Sequence, residues 1–592
     1  MTTKLKWMRI ILAGIVFLCL SYAFLARIPI IEQMGAHLSK PLLEEASWLA
    51  HIQFIPSLLG SIHGVWLSIA LFSGIFLLTL LFGRVYCSVI CPLGITQDIL
   101  FWIRSWITPK SWLRYRKAIP FVRYAVLALL ALGCIIGFSA YSLNWIDPYS
   151  IYGRMMNILV QPGVTAINNS IAGSMDSADI VRVPAYHAGW LALGIVSATM
   201  LIVAIMSIWK GRLYCNTICP VGTVLGLISR FSLFRIGFDK DACKRCGKCL
   251  KACKAQCLDL KQGTVDSSRC VACYNCMDVC SEHGIKYRWF TKVNKGTSFG
   301  KACKKTYESP KNQEMTIEDS KKLLPDPWGL SSRRAFLGTA ALGVASMALS
   351  SCKAQGAAVL DPTKTVLPPG AGNLDRFLDT CTACQLCIAT CPTRVLQPSG
   401  LELGVKGFMK PRMDFRTKYC LYDCHRCAEV CPTGAIQKMK ITAEPKETIQ
   451  TKDTTRIAVA SFYPCRCLVR REDMDCGACT EHCPTKALYT VPYIGSDGKE
   501  HRIPRLDPDL CIGCGACEYA CPVTTEKEEA GDFRKMCGAC AESVGICDFK
   551  KQKGRKKPDR AIIIRAVNPQ QHAKKKFEEK AIDPVGDVDF PF

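Results

Sequence analysis

The most constraining feature of this 592-residue chain is a cysteine spacing, C-x2-C-x2-C-x3-C, that recurs along its length. The chain has 37 cysteines, and most of them stand in six such runs or close variants of them. Three thiolates on one short loop, with a fourth from a paired run, hold a cubane [4Fe-4S] cluster in bacterial ferredoxins. The spacing therefore predicts six [4Fe-4S] clusters and a chain that moves single electrons.

The predicted iron ligands form two groups. The first pair of runs comprises Cys243, Cys246, Cys249, Cys253, Cys270, Cys273, Cys276 and Cys280. The second group has four runs, each ending in Cys-Pro: Cys381, Cys384, Cys387, Cys391; Cys420, Cys424, Cys427, Cys431; Cys467, Cys476, Cys479, Cys483; and Cys511, Cys514, Cys517, Cys521. Cys465 competes with Cys467 for one position. Cys537, Cys540 and Cys547 stay unassigned and could contribute to one more cluster.

Two other uses of cysteine are disfavoured. A disulfide framework suits short secreted chains, and it does not require a regularly repeated x2-x2-x3 spacing. Structural zinc uses pairs of C-x2-C, whereas a triple run ending in Cys-Pro is an iron–sulfur pattern.

The formal charge of +26 does not indicate nucleic-acid binding. Each cluster with four thiolates carries a charge of about −2, and no nucleic-acid motif accompanies the lysines and arginines.

Four apolar stretches, at about 7–26, 65–82, 119–140 and 188–209, predict transmembrane helices, since each approaches the roughly 20 residues that a bilayer core requires. Lysine and arginine are concentrated before the first stretch and after the second and fourth, which places both ends of this domain in the cytoplasm. The predicted fold class is a multi-domain chain. It combines a four-helix transmembrane domain (1–238), internally duplicated, with two α+β ferredoxin-like iron–sulfur domains at 239–290 and 374–570.

The duplication is visible in a ten-residue motif. Gly-Arg-Val-Tyr-Cys-x3-Cys-Pro at 83–92 returns as Gly-Arg-Leu-Tyr-Cys-x3-Cys-Pro at 211–220. Its thiols, Cys87, Cys91, Cys215 and Cys219, either ligate one further cluster or form redox-active pairs next to a quinone; an inert structural role suits two identical placements less well. His63 and His187 also occupy matching places. They are candidate proton acceptors for a quinol or, as the favoured alternative, interfacial anchors beside Trp66 and Trp190.

An export signal is predicted in the middle of the chain, after a polar linker at 291–330. Arg333-Arg334 is followed by Phe-Leu-Gly and an Ala/Gly-rich apolar run, which is typical of a twin-arginine signal at 331–352. This route passes folded cargo, which suits clusters whose ligands come from distant positions. The residues before Cys352 resemble a lipobox, and a plain buried cysteine is the alternative there. We expect the chain to lie in the bacterial inner membrane, with its first ferredoxin domain in the cytoplasm. Beyond a linker at 353–373 we expect a periplasmic unit, followed by a short tail at 571–592.

These motifs resemble two subunits of periplasmic nitrate reductase systems. The first 290 residues look like the NapH-like membrane quinol dehydrogenase subunit, and residues from about 331 resemble the exported NapG/MauM-like polyferredoxin. The resemblance implies that electrons are drawn from a quinol and passed to a periplasmic reductase or cytochrome. The C-x3-C-x2-C run at Cys420 and the thiols near Cys540 depart from the family pattern.

Two functions follow from these motifs. The preferred one is a membrane-bound electron-transfer protein that oxidises quinol. The alternative is an assembly or regulatory factor of the oxidase-assembly type, which reduces metals during maturation of another respiratory enzyme but lacks an exported unit with four clusters. About 30 Å of hydrocarbon separates the cytoplasmic clusters from the exported ones, so something must bridge them.

Overall fold

The computed structural model describes residues 2–26, 28, 48–62, 65–107, 113, 115, 120–135, 144–174, 189–239, 242–289, 365–415, 418–439, 452, 455–523 and 560–573. Several positions singled out from the sequence lie outside these residues: His63, His187, Arg333, Arg334, Cys352, Cys537, Cys540 and Cys547. The side chain of Cys465 is likewise outside the described part of the chain.

The secondary-structure elements described in the first 231 residues are all helices. The helices are α1 (Thr2–Leu25), α2 (Phe54–Ile62), α3 (Trp66–Phe82), α4 (Tyr86–Val89), α5 (Pro92–Ile107), α6 (Pro120–Ile135), α7 (Pro148–Met155), a π-helical turn (Met156–Val160), α8 (Gln161–Ser174), α9 (Trp190–Lys210), α10 (Leu213–Thr217) and α11 (Pro220–Ile228). Helices α3 and α9 both end at a glycine with positive φ, Gly83 and Gly211, a conformation that costs glycine little. Helices α5 and α11 both begin at a proline, which suits the first helical position.

Two of these helices are long and apolar enough to cross a membrane. They are Lys4–Leu25 within α1, and α9. Helix α3 is apolar and has 17 residues, and the described part of α6 is apolar and has 16 residues. Large apolar side chains on α1, α3 and α9 are exposed, among them Trp7, Leu18, Trp66, Trp190 and Leu201. Exposed apolar surface of this extent marks contact with a partner or with lipid.

A small α+β unit follows the helices. It contains β1 (Phe234–Phe238), α12 (Lys248–Ala252), β2 (Leu258–Asp259), β3 (Thr264–Val265), α13 (Asn275–Asp278) and β4 (Ile285–Trp289). Strand β1 pairs antiparallel with β4, and β2 pairs antiparallel with β3. The two cysteine runs lie beside the two strand pairs, and Cys249, Cys253 and Cys276 belong to one buried cluster with residues of these strands.

The second α+β unit contains α14 (Leu374–Thr380), α15 (Leu386–Ala389), β5 (Leu396–Pro398), β6 (Pro411–Met413), α16 (Arg426–Glu429), β7 (Thr455–Phe462), α17 (Leu468–Arg471), α18 (Ala478–Glu481), β8 (Leu488–Ile494), β9 (Glu500–Leu506), α19 (Ala516–Ala520) and β10 (Ile562–His572). The turn residues Gly495-Ser496-Asp497-Gly498 follow the β-prone stretch 490–494, and this pattern predicts a hairpin. The hairpin is present: β8 pairs antiparallel with β9, and Ile494 faces Glu500. Strand β10 returns to pair with β7.

Candidate iron–sulfur sites

Four of the six cysteine runs share one backbone wrap. In each of them the residues two and four positions after the first cysteine have positive φ: Arg245 and Gly247, Ala272 and Tyr274, Ala383 and Gln385, and Gly513 and Gly515. This conformation turns backbone N–H groups toward the thiols; the Ala383 N–H, for example, donates to Cys381 Sγ at 3.4 Å. The two irregular runs lack it, since His425 and Gly477 have φ values of −126° and −107°.

The first α+β unit (234–289), termed the cytoplasmic-type unit after the location expected from the sequence, groups its thiols into two sets. Set A is Cys243, Cys246, Cys249 and Cys280, and set B is Cys253, Cys270, Cys273 and Cys276. In both sets one thiol comes from the opposite run. Cys257, which the sequence did not single out because it stands outside the runs, is buried with its Sγ 3.7 Å from Cys253 Sγ.

The first two runs of the second α+β unit form sets C and D in the same crossed manner. Set C is Cys381, Cys384, Cys387 and Cys431, and set D is Cys391, Cys420, Cys424 and Cys427. Each set has a buried lysine beside it. Lys410 donates to the carbonyl of Leu378 near Cys381, and Lys452 donates to the carbonyl of Cys424 at 2.5 Å. Buried ammonium groups at these places suit an anionic occupant.

The last two runs form sets E and F. Set E is Cys467, Cys476, Cys479 and Cys521, and set F is Cys483, Cys511, Cys514 and Cys517. The four thiols of set E line one apolar pocket, and the four thiols of set F line another. The structure thus places Cys467, the alternative to Cys465, with the other thiols of its set.

The thiol sets are wider than a single-metal site. Three thiolates on one zinc ion at about 2.3 Å lie about 4 Å from one another. Within the described residues, the group of three or more ligand atoms that all lie within 4.8 Å of one another is Asp473, Asp497 and His501, at the β8–β9 turn, and it contains no cysteine. The open spacing of the thiols fits a multi-iron group better than zinc.

The four thiols of the duplicated motif also come together. Cys87, Cys91, Cys215 and Cys219, termed set G, are all buried in one cluster with Val271 and Cys273 of the cytoplasmic-type unit. Burial raises the pKa of Cys91 and of Cys219, and the neighbouring thiols raise both further. At neutral pH these thiols therefore stay protonated unless a cationic metal replaces the protons.

The two copies of the motif bind each other reciprocally. Arg84 of the first copy donates to the carbonyl of Cys215 at 3.2 Å, and Arg212 of the second donates to the carbonyl of Cys87. A Cβ at Gly94 would overlap the Cys87 carbonyl, and one at Gly222 would overlap that of Cys215. The arginines and glycines that the two copies share thus make the contacts that hold the four thiols together.

Arg84 and Arg212 are fully buried, at 0% and 1% exposure, but they differ in whether a carboxylate compensates their charge. Asp98 accepts from Arg212 at 2.9 Å and also pairs with Arg9 and Lys254. Arg84 instead bonds to Asn216 Oδ1, to the carbonyls of Ser268 and Cys215, and to Cys87 Sγ at 3.8 Å. No carboxylate of the described residues pairs with Arg84. A buried, uncompensated cation beside four thiols fits an anionic group held by those thiols.

One segment connects set G with set C. The hydroxyl of Tyr214, next to Cys215, donates to the carbonyl of Ile146 at 2.8 Å. A few residues on, the backbone of Gly153 lies so close to the carbonyl of Cys384 that a Cβ there would overlap it. Asp147 caps α7 between these contacts by accepting from the Ser150 N–H at 2.9 Å. Residues 144–153 therefore lie between Tyr214, the neighbour of Cys215 of set G, and Cys384 of set C.

Further contacts fix this junction. In the π-helical turn, Asn157 donates to Gln385 Oε1 at 3.0 Å, and the ring of Trp145 stacks on Phe408 with centroids 5.5 Å apart. π-Helical turns are frequent at functional sites. The hydroxyl of Tyr149 is buried and has no hydrogen-bond partner among the described residues, and the Cys384 thiol is among the titratable groups near it.

The seven sets lie in one series. Cys276 of set B is close to Cys249 of set A, and set B adjoins set G through Cys273. Set G adjoins set C through residues 144–153. Cys387 of set C is close to Cys427 of set D. The Cys420 N–H of set D donates to the Cys514 carbonyl of set F at 2.9 Å, and Cys517 of set F is close to Cys479 of set E. The order is A, B, G, C, D, F, E.

A histidine that the sequence did not single out lies at the same junction. His51 is largely buried, and its ring bonds to the backbone of Pro432, the residue after Cys431. Burial lowers the pKa of His51, and the charge of Lys438 lowers it further, so the imidazole is neutral at physiological pH. No repeat or motif marks His51, which only the fold brings to set C.

Comparisons with known proteins agree with the chemistry of these sets. A family model described as "4Fe-4S binding domain" matches residues 63–111 and 191–239, the two copies that carry set G. A model described as "4Fe-4S dicluster domain" matches residues 355–435 and 474–525. No solved structure matches the chain.

Three ferredoxin-type proteins are each similar to a part of the chain. NapG of Escherichia coli K12 is 28% identical over 207 residues, which are 32% of this chain and 81% of NapG. NapH of Haemophilus influenzae is 26% identical over 214 residues, 35% of this chain and 62% of NapH. NapF of E. coli K12 is 28% identical over 159 residues, 27% of this chain and 81% of NapF.

The thiol sets and the matched models define an iron–sulfur protein of the ferredoxin type, which transfers electrons. Within that class the chain resembles a fusion of a NapH-like part and a NapG-like part.

Proposed function

We propose that this chain is a membrane-bound electron-transfer protein that oxidises quinol and delivers electrons to a reductase or cytochrome on the exported side. The observation that carries the proposal is the junction at residues 144–153, which touches a residue next to Cys215 on one side and Cys384 on the other. The second α+β unit, termed the NapG-like unit, contains sets C to F. The helical part and this unit therefore meet near their thiol sets, as a passage of electrons between them requires.

The positions of the two α+β units along α1 support their placement on opposite sides of a membrane. Lys6, near the start of α1, pairs with Asp278 of the cytoplasmic-type unit at 2.7 Å. Leu20 and Phe24, near its end, belong to the same buried cluster as Phe377 and Leu386 of the NapG-like unit. A helix of 24 residues is about 36 Å long, close to the thickness of a bilayer. The exposed apolar faces of α1, α3, α6 and α9 would then contact lipid.

We further propose that set G holds a seventh [4Fe-4S] cluster, in preference to redox-active thiol pairs. Four buried thiols, a buried Arg84 that no described carboxylate neutralises, and a matching 4Fe-4S family model on both copies all support it. A [4Fe-4S] cluster accepts and releases one electron at a time. Set G lies between set B and set C, so it supplies the bridge that the distance across the hydrocarbon demands.

The residues of the chain have distinct tasks in this proposal. The cysteines of the seven sets hold the iron, and the reciprocal contacts of Arg84 and Arg212 keep set G assembled. Quinol oxidation also releases two protons, and His51 is the proposed acceptor at the junction because it is neutral, half-buried and adjacent to set C.

The quinol step is tested with the full-length chain in detergent. A menaquinol analogue is added without oxygen, and reduction is followed by EPR. We expect the wild type to be reduced and His51→Asn to react at least about a hundredfold more slowly, because general-base catalysis contributes about that much. Dithionite should reduce both equally. The matched control is His482→Asn, an exposed histidine of the NapG-like unit. A wild type that no quinol analogue reduces contradicts the proposed function.

The side of the membrane reached by the NapG-like unit is tested through Arg333 and Arg334. In spheroplasts, added protease should remove a tag at the C-terminus of the wild type but spare it in Arg333→Lys/Arg334→Lys, because the twin-arginine pair directs export. A tag at the N-terminus should stay protected in both strains. A C-terminal tag that is equally accessible in both would show that the pair is not an export signal.

A further inference from the structure

We propose that the cytoplasmic-type unit carries a docking surface for an acidic soluble one-electron carrier protein, of the ferredoxin or flavodoxin class, centred on Cys246. This goes beyond the proposed function, because it gives the chain a second electron donor and does not depend on quinol being the first. The donor would reach set A, which stands at one end of the series of thiol sets.

The first observation is the exposure of one ligand position. Among the cysteines that the structure describes, Cys246 is the exposed one, and the others are buried or half-buried. Set A therefore has an edge open to solvent. Set B lies between set A and the helical part, since Cys273 and Val271 belong to the buried cluster around set G. The open edge thus belongs to set A, which has no member in the buried cluster around set G.

The second observation is the charge around this edge. Residues 243–254 carry five basic residues and no acidic residue. Four of the five, Lys244, Arg245, Lys248 and Lys251, are exposed, whereas Lys254 points inward to Asp98 at 3.5 Å. Lys244 pairs with Glu282 at 2.8 Å, with the two side chains 71% and 41% exposed, so Glu282 offsets one of these four positive charges.

The partner follows from these two features. An exposed set edge ringed by cations favours an acidic protein, because complementary charge steers the encounter and fixes the orientation of the two redox centres. The partner must release electrons singly, since a [4Fe-4S] site takes one at a time. In each encounter the carrier loses one electron and this chain gains one; no proton or bond is transferred.

An anionic membrane surface is the competing occupant of a basic loop. The described contacts disfavour it: the helical part meets this unit on the side of set B, where Arg84 donates to the Ser268 carbonyl. Lipid binding is nevertheless made an outcome of the test.

The test uses the full chain with its clusters in detergent and, as probe, an oxidised plant-type [2Fe-2S] ferredoxin, which is acidic. Calorimetry should show binding that weakens at least about tenfold in Lys244→Glu/Lys248→Glu and that weakens as salt is raised from about 50 to about 500 mM. The matched control is Lys261→Glu/Arg288→Glu, with two exposed basic residues of the same unit outside the Cys246 loop, and it should bind within about twofold of the wild type. Stopped-flow reduction by the pre-reduced ferredoxin should follow the same order.

Iron and sulfide content and full reduction by dithionite establish that each variant contains its clusters. If Lys244→Glu/Lys248→Glu lacks clusters, Lys244→Gln/Lys248→Gln is used in its place. A basic carrier, cytochrome c, should bind weakly or not at all. The proposal is overturned if the ferredoxin does not bind the wild type, if both double variants behave alike, or if the loop charges affect binding to phosphatidylglycerol vesicles but not to ferredoxin.

Discussion

Replacing Cys215 with serine is expected to remove one whole cluster, about four irons and four sulfides per chain, because set G would keep only three of its four thiols. The expected loss is measured by iron and acid-labile sulfide analysis of the anaerobically purified protein. EPR of the reduced protein should lose one component, while the signals of the other sets persist, since their ligands come from other loops.

The control for this experiment is Cys19→Ser. Cys19 lies on α1, is half-buried and belongs to none of the seven sets. Its iron content should equal that of the wild type. If Cys215→Ser also keeps all its iron, set G is not a cluster site, and redox-active thiol pairs are the remaining alternative. Alkylation of Cys87 and Cys91 before and after reduction then shows whether these thiols are oxidised and reduced.

Replacing Asp98 with asparagine is expected to lower the free energy of unfolding by about 3–5 kcal/mol, the usual cost of removing one partner from a buried ion pair. Asp98 forms ion pairs with three cations, Arg9, Arg212 and Lys254, and its side chain is 11% exposed. The variant would leave Arg212 buried and unpaired next to set G. The measurement is thermal unfolding of the detergent-solubilised protein, followed by circular dichroism and by the loss of cluster absorbance.

A matched control is Asp239→Asn, which removes the exposed pair with Lys286. Exposed pairs contribute about 1 kcal/mol or less, so little change is expected. Equal destabilisation by the two variants would show that the Asp98 network does not stabilise the fold more than a surface ion pair does.

The pH dependence of the Asp98 contribution has a definite sign. Burial alone would raise the pKa of Asp98, but Arg212, Lys254 and Arg9 outweigh burial and hold the pKa well below the usual range. A lowered pKa stabilises the fold above the ordinary carboxyl pKa of about 4 and loses this effect only as the pH falls below it. The stability difference between wild type and Asp98→Asn should therefore be constant from about pH 8 to about pH 5 and shrink below about pH 4.

The cysteine spacing alone predicted the chemistry of the sites. A C-x2-C-x2-C run leaves the backbone few ways to bring three thiols to one point, and four runs adopt the same pair of positive-φ residues. The family comparisons confirm 4Fe-4S binding domains in the chain. The predicted hairpin at Gly495–Gly498 is likewise confirmed, because turn residues between alternating strands act locally. The four-helix membrane domain remains a proposal, since two of the described helices are long and apolar enough to cross a membrane.

Long-range contacts could not be predicted from spacing. Nothing in the sequence places Gly153 against Cys384, His51 beside Pro432, or Cys420 beside Cys514, because these residues are separated by many intervening elements. The reciprocal use of Arg84 and Arg212 was also hidden, although the repeat that contains them was visible.

The sequence by itself indicated iron–sulfur chemistry at the cysteine runs and a duplicated helical part, because spacing and repetition are local properties of the chain. Only the tertiary structure decided the order in which the sets adjoin and which set has an edge open to solvent. Order and exposure depend on which surfaces bury each other, and burial is a property of the whole fold.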